Sequence, residues 1–114
     1  MKKKVSEIFR RPWGQGEVSC EPSREEIERA VRENDLETRG FQEHLHELIA
    51  EWEQVTGPER YDRIRRYHAR RVAFFVVNKW DNSITLKEDG REVDEGSHRL
   101  EAARFLRIEE VCVK

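Results

Sequence analysis

Val72-Ala73-Phe74-Phe75-Val76-Val77 is a run of six apolar residues rich in β-branched and aromatic types. Such a run reads as a buried strand, and that reading organises the chain on both sides of it. Downstream, Asp81-Asn82-Ser83 reads as a turn, Ile84-Thr85-Leu86 as a second strand and Glu88-Asp89-Gly90 as a hairpin turn. Glu92-Val93-Asp94 makes a short third strand. Ser97 to Arg107 follows as a helix with Leu100, Ala103 and the pair Phe105-Leu106 inward, and Ile108 to Val113 alternates as a last strand whose pattern leaves its inner face open. Residues 71–114 are therefore expected to run β-β-β-α-β.

Upstream the period is helical. Ser23 and Glu26 fit a capping box, in which each side chain satisfies a backbone N–H of the first turn. Ile27, Ala30 and Val31 follow at helical spacing, and Asn34-Asp35 is the stop. Phe41, Leu45, Leu48, Ile49 and Trp52 share one helical face. Gly57-Pro58 ends that helix and begins another, because proline suits the first helical position. The third helix carries Tyr61, Ile64 and Tyr67 inward. Residues 1–22, with Val5, Ile8 and Phe9 and the loop Arg10–Gly16, form an irregular arm. The expected architecture is α+β: one domain over 1–114, helical over 23–70 and sheet-based over 71–114.

Composition bounds what such a chain does. Charged residues make up 40% of the 114 and the net charge is −2, which argues against coating nucleic acid by bulk charge and leaves room for a local basic patch. No apolar run approaches the roughly 20 residues that span a bilayer. Met1–Lys4 is basic, yet no apolar stretch follows to make an export signal. A cytoplasmic protein without a membrane partner is expected, with Cys20 and Cys112 as free thiols.

The chemically loaded segment is Glu95-Gly96-Ser97-His98-Arg99. Glycine between a strand and a helix allows a backbone conformation that a side chain hinders. The first-turn amides of the helix have no internal partners, and the helix dipole adds positive charge there. These features together suit an anion. Ser97 adds a hydroxyl, His98 an imidazole and Arg99 a planar cation suited to phosphate. Glu95 is placed to ligate an accompanying metal or act with His98 in acid–base chemistry. The plain alternative is a helix cap, with Arg99 paired to Glu95 or Glu101 and His98 packed.

Val72–Val77, Ile84–Leu86, Val93–Ala103 and Ile108–Val113, in that order, resemble the ParB/sulfiredoxin-like superfamily, with Gly96-Ser97-His98-Arg99-Leu100-Glu101-Ala102-Ala103 as its turn and helix. The resemblance implies a compact α+β fold whose glycine turn binds nucleotide phosphates. It implies ATP or CTP with Mg2+ as cofactor. Glu95 stands where many members have Asp, and Ser97 where sulfiredoxins have their reactive Cys, which argues against sulfinic-acid reduction. The helical DNA-binding domain that follows this module in partitioning proteins has no counterpart in these 114 residues, so a sliding-clamp role is not expected. Small stand-alone members of this kind are associated with phages and mobile elements.

Six arginines fall between Arg60 and Arg71, and Arg63, Arg66 and Arg70 share one helical face. They read either as a phosphate-tracking patch for nucleic acid or as cations neutralised by neighbouring acids. His44 and His46, two apart on a helix, point apart and do not share a metal, and no metal site is expected. Trp13 and Trp80 are candidates to stack on a base, although packing is the more common use of such residues. The expected function is binding of nucleotide or nucleic-acid phosphate, extending to nucleotide-dependent phosphotransfer or hydrolysis. The alternative is a non-catalytic DNA- or protein-binding protein of a phage or mobile element that blocks a host enzyme.

Overall fold

The computed structural model describes every residue except Lys79, Asp81 and Asn82, together with the side chain of Gln15. The expected turn at 81–83 therefore lies largely outside the described residues. The chain is mixed α and β and divides into two compact units, Pro12–Phe74 and Met1–Arg11 with Phe75–Lys114. Among the described residues no helix is long and apolar enough to cross a membrane.

The unit spanning Pro12–Phe74 contains a two-stranded hairpin, β2 (Gly14–Gln15) and β3 (Val18–Ser19), and helices α1 (Arg24–Arg32) and α2 (Leu45–Trp52). It also holds most of α3, which runs Pro58–Val77. Helix α1 begins as the sequence specifies, with the Ser23 hydroxyl accepting from the Glu26 N–H and Glu26 Oε1 accepting from the Ser23 N–H. Asn34, at φ 54°, follows its end. Helix α2 is shorter than its apolar pattern, and only Leu48 is fully buried, while Phe41 and Ile49 are exposed.

Val72–Val77 is not a strand but the last turns of α3. Two physical reasons account for the difference. No glycine or proline stands between Pro58 and Asn78, and extending a nucleated helix is far easier than starting one. Burial along α3 also keeps the helical period: Ile64, Tyr67, His68, Val72 and Phe75 are buried, whereas Val77 is exposed. A strand covered on both faces would bury the whole run.

The second unit is built on a four-stranded sheet in the order β1 (Lys2–Lys4), β6 (Glu110–Val113), β4 (Ser83–Leu86), β5 (Val93–Glu95). Neighbours β1 and β6 are antiparallel, β6 and β4 parallel, β4 and β5 antiparallel. Helix α4 (Ser97–Phe105) packs its Leu100 and Ala103 into a core with Ile84, Val93, Val111 and Val113, whereas Leu106, expected inward, lies just past the helix end and is exposed. Val111 and Val113, not Cys112, prove to be the inner face of the last strand.

The first eleven residues are ordered structure here rather than an irregular arm. After β1, a 3-10 turn at Val5–Glu7 leads to Ile8, and both Val5 and Ile8 join the core. Phe9 then bridges Glu92 on the far side of β5. Arg104 donates to the Ile8 carbonyl at 2.9 Å and Arg10 pairs with Glu101 at 3.0 Å, fastening this strap to α4.

Candidate functional site

The Gly96 turn arises from the order β4–β5–α4. Strand β5 pairs Thr85 with Glu95 and Leu86 with Val93, leaving Asp94 as the extra residue of a bulge. Bulges re-aim side chains, and Asp94 and Glu95 are both exposed. Gly96 then reverses the chain at φ 108°, ψ 25°, in the left-handed region. Its carbonyl accepts the first helical bond of α4, from the Leu100 N–H at 2.9 Å.

Three features of this helix start bear on chemistry. No side chain caps it, no acidic residue occupies its first turn, and Ser97, His98 and Arg99 are half-buried there. The helix's positive end is thus left to groups other than its own side chains. Ser97 and His98 stand in the first turn of α4.

Arg99 takes a different course. Its guanidinium lies over the Phe75 ring, 5.1 Å from the centroid, and Nη1 donates to the Ser83 carbonyl at a long 3.4 Å. Its Nε is buried with no hydrogen-bond partner among the described residues. The pairing with Glu95 or Glu101 that the plain helix-cap alternative held is not formed; Glu101 instead takes Arg10 and Arg104.

The arginines of α3 are largely occupied. Arg70 pairs with Asp35 at 2.8 Å, Arg65 with Glu26 and Asp62, and Arg63 lies 3.7 Å from Glu59 and donates to the Glu51 carbonyl. Arg60 donates to the carbonyls of Trp52 and Val55 at the end of α2. Arg71 donates to the Glu37 carbonyl. Arg66 remains exposed. Of the three residues expected to track phosphates, Arg63 and Arg70 thus tie the unit together.

The remaining candidates are structural neighbours. Trp13 stacks on the buried His68 with centroids 4.2 Å apart and planes 2° from parallel, and Trp80 meets Phe75 edge-on at 6.0 Å. His44 lies 3.4 Å from Glu47. Among the described residues no group of three or more His, Cys, Asp or Glu side chains is placed to hold a metal. Both cysteines are free.

One cluster had no sequence signal. Arg39 donates to Glu37 at 2.7 Å, to Glu47 at 2.8 Å and also to Glu51, joining the segment before α2 to α2 itself. The bonds it donates to Glu51 and Glu37 hold the guanidinium's pKa above its ordinary value against the opposing effect of burial. Its partners lie 2, 8 and 12 residues away, a spacing that no local motif encodes.

Comparison with protein-family models finds no match, and comparisons with curated proteins and with solved structures find none either.

Proposed function

We propose that this protein binds a phosphate group of a nucleotide or nucleic acid at the Gly96–Arg99 turn. The observation that carries the reading is the start of α4: a left-handed glycine followed by a first turn with neither a side-chain cap nor an acid. The first-turn amides and the helix dipole supply the attraction, and the Ser97 hydroxyl and His98 ring supply further donors. The resemblance of Val93–Ala103 to the ParB/sulfiredoxin-like turn and helix supports a nucleotide such as ATP or CTP. The helical state of Val72–Val77 removes the first strand from that resemblance, so the reading rests on the turn itself.

Asp94 and Glu95, both exposed just before Gly96, would repel an incoming phosphate unless a cation intervenes. Binding is therefore Mg2+-dependent, with these carboxylates facing the ion. Thermal shift with ATP, CTP, GTP, their diphosphates and short DNAs, each with and without Mg2+, tests this. A ligand at 100 times its dissociation constant stabilises the fold by about 2.7 kcal/mol. A shift with one nucleotide that requires Mg2+ is expected, and Glu95→Gln should weaken that requirement. No shift with any phosphate-bearing compound would reduce the turn to a helix start and sink the proposal.

A further inference from the structure

The four-stranded sheet has one covered edge and one open edge. Beyond β5, Phe9 donates to the Arg91 carbonyl at 3.0 Å and accepts from the Val93 N–H at 2.9 Å. Beyond β1, no strand is paired among the described residues. The register decides which groups lie along that open edge. Val5 donates to the Glu109 carbonyl and Val113 to the Met1 carbonyl, both at 2.8 Å, with Lys3 opposite Val111 between them. In antiparallel pairing, bonded and non-bonded residues alternate. The N–H and C=O groups of Lys2 and the N–H of Lys4 therefore point away from β6, out of the sheet, while the Lys4 carbonyl opens the 3-10 turn at Val5–Glu7.

The side chains add a charge to that row. Lys2 and Lys4 alternate onto one face and are both exposed, with no ion pair to any described residue. Lys3, on the other face, gives its Nζ to the Gly90 carbonyl at 2.5 Å.

We propose that β1 is a docking edge that accepts an extended acidic segment of a partner protein as an added strand. Main-chain bonds to Lys2 and Lys4 would supply affinity, and carboxylates opposite the two lysines would supply selectivity. Charge complementarity decides the occupant. A second copy of β1 would set lysine against lysine, and like charges directly opposite are destabilising. Edge lysines guard against such self-pairing, and the same charge selects an acidic strand. This surface is independent of the Gly96 turn.

The test uses the full chain and two labelled heptapeptides, one alternating Glu and Val, the other Lys and Val, followed by fluorescence anisotropy. The acidic peptide should bind, more weakly as salt rises, and the basic one should not. Lys4 has φ −69°, which proline adopts without strain, and its N–H does not serve β6. Lys4→Pro thus removes one outward donor as well as a charge, whereas Lys4→Gln removes the charge alone. Lys4→Pro should bind the acidic peptide roughly five- to tenfold more weakly than Lys4→Gln does. The double variant Lys2→Glu/Lys4→Glu should exchange the preference and take the basic peptide; it decides the matter if circular dichroism shows that Lys4→Pro misfolds. The proposal is overturned by any of four results: no binding of the acidic peptide, equal binding of both peptides, equal affinity of a folded Lys4→Pro and Lys4→Gln, or a β1-dependent dimer in sedimentation.

Discussion

Gly96 presses against Ile84 so closely that a Cβ on it would lie 3.3 Å from Ile84 Cγ1 and 3.4 Å from Ile84 Cα. Two constraints coincide at this residue, since its φ of 108° is already one that side chains rarely tolerate. Gly96→Ala should therefore destabilise the fold by about 1–2 kcal/mol. Thermal unfolding checks this, with a fall of roughly 4–8 °C for each kcal/mol in a fold of this size.

The capping box of α1 gives a second prediction. Ser23→Ala removes the acceptor of the Glu26 N–H and should cost about 1 kcal/mol in urea unfolding.

Acid should expose the same box. Burial pushes the Glu26 carboxyl up, but the bonds it accepts from the Ser23 N–H and from Arg65 outweigh this and hold it below its ordinary value. A carboxyl lowered in the folded state contributes stability above its unfolded pKa and loses it as pH falls through the folded one. Glu26→Gln should therefore flatten the decline in stability on the acid side of pH 4.5, measured by urea midpoints across that range.

At the alkaline end, burial raises the Tyr67 phenol to about 12 from its usual 10. A group raised in the folded state contributes stability that is complete below the unfolded pKa and disappears as pH rises through the folded one. Stability should fall between about pH 10 and 12, and Tyr67→Phe should remove that part of the decline. At neutral pH the same variant should cost about 1 kcal/mol, because the hydroxyl donates to the Arg39 carbonyl at 2.9 Å.

Arg39→Met leaves Glu37, 5% exposed, without its guanidinium. Stranding a buried carboxylate in this way should destabilise by about 3 kcal/mol. Replacing Glu37 with Gln in the same background should recover part of that loss in chemical denaturation.

These positions show what was legible in the sequence. Local chemistry read correctly: the Ser23–Glu26 box, proline opening α3, the turn at Gly90 and the glycine before α4 all depend on residues within a few positions of one another. Val72–Val77 misled because six apolar residues are compatible with a buried strand and with a buried helix turn. What decided was the unbroken helix-forming chain before them, which a reading centred on the run underweights. Lys2–Lys4 gave no strand signal, since lysine is depleted in strands and only pairing with β6, more than a hundred residues away, makes one. The packing of Arg99 against Phe75 and Ser83 depends on where α3 ends relative to β4, which a strand reading of Val72–Val77 conceals.

The phosphate reading of the Gly96 turn is tested most directly by 1H–15N correlation spectra of the labelled protein, titrated with the nucleotide found by thermal shift, in the presence of Mg2+. The amides of Gly96, Ser97, His98 and Arg99 should move furthest. Ser97→Asp, which places a charge favoured by the helix start but repelled by phosphate, should abolish those shifts while preserving or raising the melting temperature. Shifts concentrated elsewhere, or undiminished in Ser97→Asp, would contradict the assignment of the turn as the phosphate site.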